Sequence, residues 1–215
     1  MTSLSAIDLA TVPNRRYSGV LVVLAGLMVG ALWGVLARAW MRFVSAAPEF
    51  SWSGTLMIIG IFAFCGMAQG LAAAARRGGW PRPARIAAQT AAIASAVPLG
   101  LGAGSIMMPS TLLAGFAIGR TEMNRLGRIA LAALAFLPTT FVLTQLVDEL
   151  PLWRAVAGWV LMFAIYLPIS WALSRTIRTL GAPGRRLSNR QIVVLLVVGG
   201  IVVLGLMVTV FGLAV

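Results

Sequence analysis

The 215-residue chain has no histidine and no lysine, a single cysteine and only five acidic residues. Histidine is the commonest metal ligand and the usual general base near neutral pH. Its absence excludes histidine-ligated haem or copper centres, HExxH zinc sites and Ser/His nucleophilic catalysis. The lone Cys65 has no partner for an intrachain disulfide, and its neighbours Phe64, Gly66 and Met67 mark it as buried packing rather than a redox centre. Charge is equally scarce: 10% of the residues carry it, against about a quarter in soluble domains.

What fills the chain instead is apolar. Such residues make up 60% of it, and the mean hydropathy is +0.96. The expected fold class is therefore an all-α, polytopic integral membrane helical bundle. All 17 basic residues are arginine. In a soluble protein a pI near 12 would point to nucleic acid. Here the arginines sit in short segments between apolar runs, where they set topology and meet anionic headgroups. The expected partners are the lipid bilayer and another membrane chain, with no nucleic acid.

A helix crosses the hydrocarbon in about 20 residues. On that measure the spans are predicted at 18–37, 54–75, 86–101, 106–119, 129–147, 155–174 and 191–213, forming one transmembrane domain over 18–215 behind a tail at 1–17. The stretch 86–119 holds Pro98, Gly100, Gly102, Gly104 and Pro109 near its centre, and no continuous helix runs through such a segment. It is expected to leave and return on one side, as two short spans or as a re-entrant hairpin. Arginine placement argues the same way, because an even crossing puts 14 arginines on one side and only Arg38, Arg42 and Arg154 on the other. A single crossing would erase that bias. The positive-inside rule then predicts seven spans, or five plus the hairpin, with the amino terminus cytoplasmic and the carboxyl terminus external. The expected location is a plasma membrane, a bacterial inner membrane. The first run exceeds the apolar core of a cleaved signal and is expected to be retained.

Two sets of residues stand out. Gly26, Gly30 and Gly34 repeat every four positions, and Gly66, Gly70, Gly115 and Gly119 form shorter pairs of the same spacing. Such faces let helix backbones approach closely, either inside the bundle or against a docked chain. Prolines at 98, 109, 138 and 168 free backbone carbonyls that need other partners. Near them lie Ser105, Thr139, Thr140, Gln145 and Tyr166, a candidate ligand set at mid-depth. The segment around Glu49 and Trp52, with Arg38 at the end of the preceding span, is a candidate external anchor or lid.

No carboxylate falls deep in an apolar run, which argues against a proton-driven pump. Ser105 ends a Gly-Ala-Gly-Ser sequence without the GxSxG pattern, so no enzyme is expected, and no cofactor or metal. Two functions remain: a transport component that binds an uncharged or anionic solute among interrupted helices, or a non-catalytic helper subunit that docks through its glycine faces. In size and number of spans, though not through any motif, the chain is similar to the substrate-binding subunits of energy-coupling-factor vitamin transporters. Its external carboxyl terminus departs from them. That resemblance implies solute binding alongside a partner chain.

Overall fold

The computed structural model describes residues 18–46, 50–102 and 107–179, together with Val194, Val197 and Ile201. The predicted tail 1–17, most of the predicted span 191–213, Glu49 and Ser105 lie outside the described residues. Seven α-helices and no strand occur among the described residues: α1 (Gly19–Val44), α2 (Trp52–Arg77), α3 (Arg82–Ala94), α4 (Val97–Gly102), α5 (Met107–Gly119), α6 (Arg125–Glu149) and α7 (Leu152–Arg178). Four of them, α1, α2, α6 and α7, are long and apolar enough to cross a membrane. At 1.5 Å per residue the 26 residues of α1 span about 39 Å. That exceeds the hydrocarbon thickness of about 30 Å, and it explains why these helices run several residues past the predicted apolar limits. Seven spans are not found: the described residues hold four.

The segment 82–119 behaves differently. Pro98 has no N–H and cannot continue α3, so the chain turns at Ser95 and Ala96, and Pro98 enters the first turn of α4, where its missing donor is harmless. Ser95 stabilises the turn by donating to the carbonyl of Ala92 at 2.8 Å. Pro109 likewise falls in the first turn of α5. With 13 residues each, α3 and α5 are about 20 Å long, too short to cross alone. The contacts fix where they lie. Gln89 of α3 meets Thr179 after α7, Ser95 meets Cys65 in the middle of α2, and Gly119 at the far end of α5 abuts Ser174 of α7. The pair therefore enters and returns at the same end of the bundle.

That end collects Arg76, Arg77, Arg82, Arg85, Arg120, Arg125, Arg128, Arg175 and Arg178, while Arg38, Arg42 and Arg154 occupy the other. Helices α3 and α6 begin with arginine and have no acid in the first turn. This charge opposes the positive helix amino terminus, so helix stability does not account for it.

The tightest packing joins α1 to α2. A Cβ on Gly26 would collide with the carbonyl oxygen of Gly66, one on Gly30 with that of Phe62, and one on Gly34 would stand 2.7 Å from the Cα of Ile59. From α2, a Cβ on Gly66 would strike the carbonyl oxygen of Gly26, and one on Gly70 would lie 2.8 Å from that of Val22. The two backbones touch along an antiparallel seam. Glycine spaced every fourth residue is what allows this. The opposite face of α1, with Val20, Leu24, Met28, Leu32 and Leu36, is exposed. An apolar strip of that length is out of place in water and is expected against lipid.

Two experiments check this architecture. Gly30→Leu forces two backbones apart and is expected to cost about 1–3 kcal/mol or more, whereas Leu32→Ile on the exposed face changes little. Unfolding in detergent reads the difference. With Cys65 replaced by Ala, cysteines placed at Gly79 and Asn124 are expected to react with an impermeant thiol reagent from one side of the membrane, and those at Ala46 and Glu149 from the other. Opposite labelling of 79 and 124 would mean that 82–119 crosses once.

Candidate functional site

The predicted ligand set does not converge. Thr139 on α6 is buried, but its hydroxyl donates to the carbonyl of Phe136 at 2.6 Å, and its own carbonyl accepts the indole N–H of Trp159 at 2.9 Å. Thr140 is exposed and donates to Leu137, and Thr144 is exposed and donates to Phe141. Gln145 is exposed. In keeping with the predicted spans 129–147 and 155–174, α6 and α7 run continuously through Pro138 and Pro168. The threonine hydroxyls bond back to carbonyls of their own helix, at Phe136, Leu137 and Phe141, as membrane helices commonly arrange.

Tyr166 lies in the main apolar cluster with Phe62, Cys65, Leu99, Met162 and Ile165, where α2, α4 and α7 meet. Above it, tryptophans fasten helix to helix. Trp33 of α1 donates to the carbonyl of Ile165 at 3.0 Å, and Trp40 to that of Gly158 at 2.6 Å. A buried indole N–H needs such an acceptor in a medium without water. Trp159 also packs edge-on against Phe136 and Phe163.

The glycine faces are spent inside the chain. Gly26, Gly30 and Gly34 meet Gly66 and Gly70 along the seam, Gly115 faces the side chains of Leu173 and Ile177, and Gly119 faces the backbone of Ser174. Of the two uses expected for these faces, close packing inside the bundle is the one these contacts represent. At the opposite end Arg38 is not terminal, because α1 continues for six more residues, and its guanidinium donates to the Thr55 hydroxyl at 3.2 Å. Trp52 is exposed and stacks edge-on with Phe50, over whose ring Arg42 sits at 5.2 Å. Arg154 donates to the carbonyls of Phe43 and Ser45, capping the end of α1 from α7.

Two features lie outside the predicted ligand set. The first is a buried polar network at the basic end. Gln69 of α2 donates to the carbonyl of Ala92 in α3 at 2.9 Å and accepts from the hydroxyl of Thr176 in α7 at 2.7 Å. Gln89, almost wholly buried, donates to the hydroxyl of Thr179 at 2.8 Å. The available signal was an amide inside each of two apolar runs, since a buried amide in a bilayer must find partners. The second is Ser110 in α5, buried with its hydroxyl unbonded. Among the described residues no cluster of His, Cys, Asp or Glu could hold a metal ion.

Comparison with known protein families, with curated proteins and with solved structures finds no match. The class is defined by the fold of the described residues: all-helical, with four helices long and apolar enough to cross a membrane, and a helical pair that enters from the arginine-rich end.

The polar contacts rank differently in energy. Gln69→Leu strands the Thr176 hydroxyl and is expected to destabilise by about 1–3 kcal/mol. Thr140→Val removes an exposed hydroxyl bonded only to its own helix and is expected to change stability by less than about 0.5 kcal/mol. Paired thermal unfolding curves test the order.

Proposed function

We propose that the protein is a non-enzymatic transport component of a bacterial inner membrane, and that it holds an uncharged or anionic solute where the hairpin 82–119 reaches mid-depth. The basic end faces the cytoplasm in this reading, as the positive-inside rule demands. The observation that carries it is the combination of an interrupted helical pair entering and returning at one end with the buried, unbonded Ser110 hydroxyl on its returning arm. Interrupted helices at membrane depth are a common way to build a solute site. A hydroxyl without a partner in such surroundings costs about 1–3 kcal/mol, a cost that a bound hydrogen-bonding solute removes. The chain supplies no ATP-binding motif, so active transport calls for a partner chain. The alternative helper role loses the surface on which it depended, because α2 already covers the glycine stripe of α1.

Ser110→Ala tests this whatever the solute is. In the unliganded protein the substitution is expected to be neutral or to stabilise by up to about 1 kcal/mol, because it deletes an unsatisfied group. Any solute from an anionic and neutral metabolite panel that raises the melting temperature of the wild type is expected to bind Ser110→Ala about tenfold more weakly. Marked destabilisation of the unliganded variant, or a ligand indifferent to it, would overturn the assignment.

A further inference from the structure

Positive charge at the basic end exceeds what the chain's own described groups offset there. α2 closes on Arg76 and Arg77, and α7 on Arg175 and Arg178. A helix carboxyl terminus contributes roughly half a negative charge, so two of them balance about one of these arginines. Of the described acids, Asp148 and Glu149 sit at the opposite end, and Glu122 lies in the loop between α5 and α6. Among the described residues Arg76, Arg77 and Arg175 form no ion pair. Arg76 is half-buried, and both Arg77 and Arg175 lie near enough to repel its charge. A cation held so, partly out of water and among like charges, is costly without a counter-charge.

The surroundings also fix where that counter-charge would sit. Thr176 is fully buried, accepts from Arg76 Nη1 at 3.5 Å and donates to Gln69, which in turn is bonded to the backbone of α3. This chain tethers one corner of the guanidinium and leaves the remaining donors of its five N–H groups for a ligand. On α7 the exposed Arg175 lies over the ring of Trp171, one turn back on the same helix, at 3.9 Å, a stacking that holds its guanidinium in place. Arg85 is four residues before Gln89, hence on the face of α3 that meets Thr179 and one turn nearer the end.

We propose that Arg76, Thr176 and Arg175 form a phosphate-binding site in the seam between the ends of α2 and α7. Two arginine forks match the oxygens of a phosphate group, and the end of a membrane-spanning helix lies at the level of lipid phosphates. The phosphate comes either from an anionic lipid headgroup or from a free phosphate in solution. The site is separate from Ser110 and stands or falls independently of the solute reading.

The test uses the full chain in nanodiscs of phosphatidylcholine alone, and of phosphatidylcholine with phosphatidylglycerol in equal parts, with inorganic phosphate added to each. Spin-labelled phosphatidylglycerol reports lipid binding, and thermal unfolding reports binding of free phosphate. For a lipid source, the wild type immobilises labelled phosphatidylglycerol and inorganic phosphate does not displace it. For a free-phosphate source, phosphate raises the melting temperature in phosphatidylcholine alone. In either case Arg76→Gln is expected to weaken binding about tenfold, and Arg175→Gln to do the same. Arg76→Lys keeps the charge and, if folding of Arg76→Gln is impaired, still loses the fork and weakens binding severalfold. Arg125→Gln removes the same charge elsewhere on that end. If it weakens binding as much as Arg76→Gln does, or if Arg76→Lys binds like the wild type, or if neither probe binds, the site is overturned.

Discussion

The contact between the backbones of α1 and α2 is the constraint on which the rest of the structure depends. Inside a bilayer, helices gain nothing by hiding apolar side chains from one another, since lipid is equally apolar. What joins them is close van der Waals contact and hydrogen bonding. Five glycines, three on α1 and two on α2, remove every Cβ that would hold the seam open. With the seam closed, the flank of α1 carrying Trp33 and Trp40 is turned to α7, where both indoles find carbonyl acceptors. Arg154 then reaches back from α7 to close the carboxyl end of α1. One close approach thus sets the rotation of α1, and that rotation sets its bonds to α7.

A second constraint is the demand that polar groups in hydrocarbon be satisfied. The structure meets it by different means at different depths. Indole N–H groups use helix carbonyls, threonines beside Pro138 bond to their own helix, and Gln69 and Gln89 tie α2, α3 and α7 together at the basic end. Against this background two groups stand apart. Ser110 is buried and unbonded, and Arg76 is half-buried among like charges. These two unmet demands are the observations on which the proposed solute and phosphate sites rest.

The arginine pattern and the apolar runs made the architecture legible in the sequence. Periodic small residues disclosed the glycine stripe, and the prolines and glycines between 98 and 109 disclosed the interruption. Helix ends were read too short, because a helix does not stop where the hydrocarbon does: α1 carries on through Arg38 and Arg42 and ends at Val44. The prolines differ in effect by position, because Pro98 and Pro109 sit in the first turns that follow an interruption, whereas Pro138 and Pro168 are accommodated within continuous helices. The candidate ligand set failed for a reason of geometry. Thr139 and Thr140 are adjacent in sequence but about 100° apart around a helix, so burying one exposes the other.

By itself, then, the sequence determined that the chain is helical and apolar, where its helices run, and that 82–119 returns to the side it left. Those properties follow from local chemistry: residue transfer preference, the missing N–H of proline and the sign of loop charge. Tertiary structure alone decided which faces meet. It set the α1 glycines against α2 rather than against a second chain, gathered Gln69, Gln89 and Thr176 from three helices, and left Ser110 without a partner. These outcomes depend on the rotation of each helix about its own axis, and that angle is fixed only when all the helices pack together.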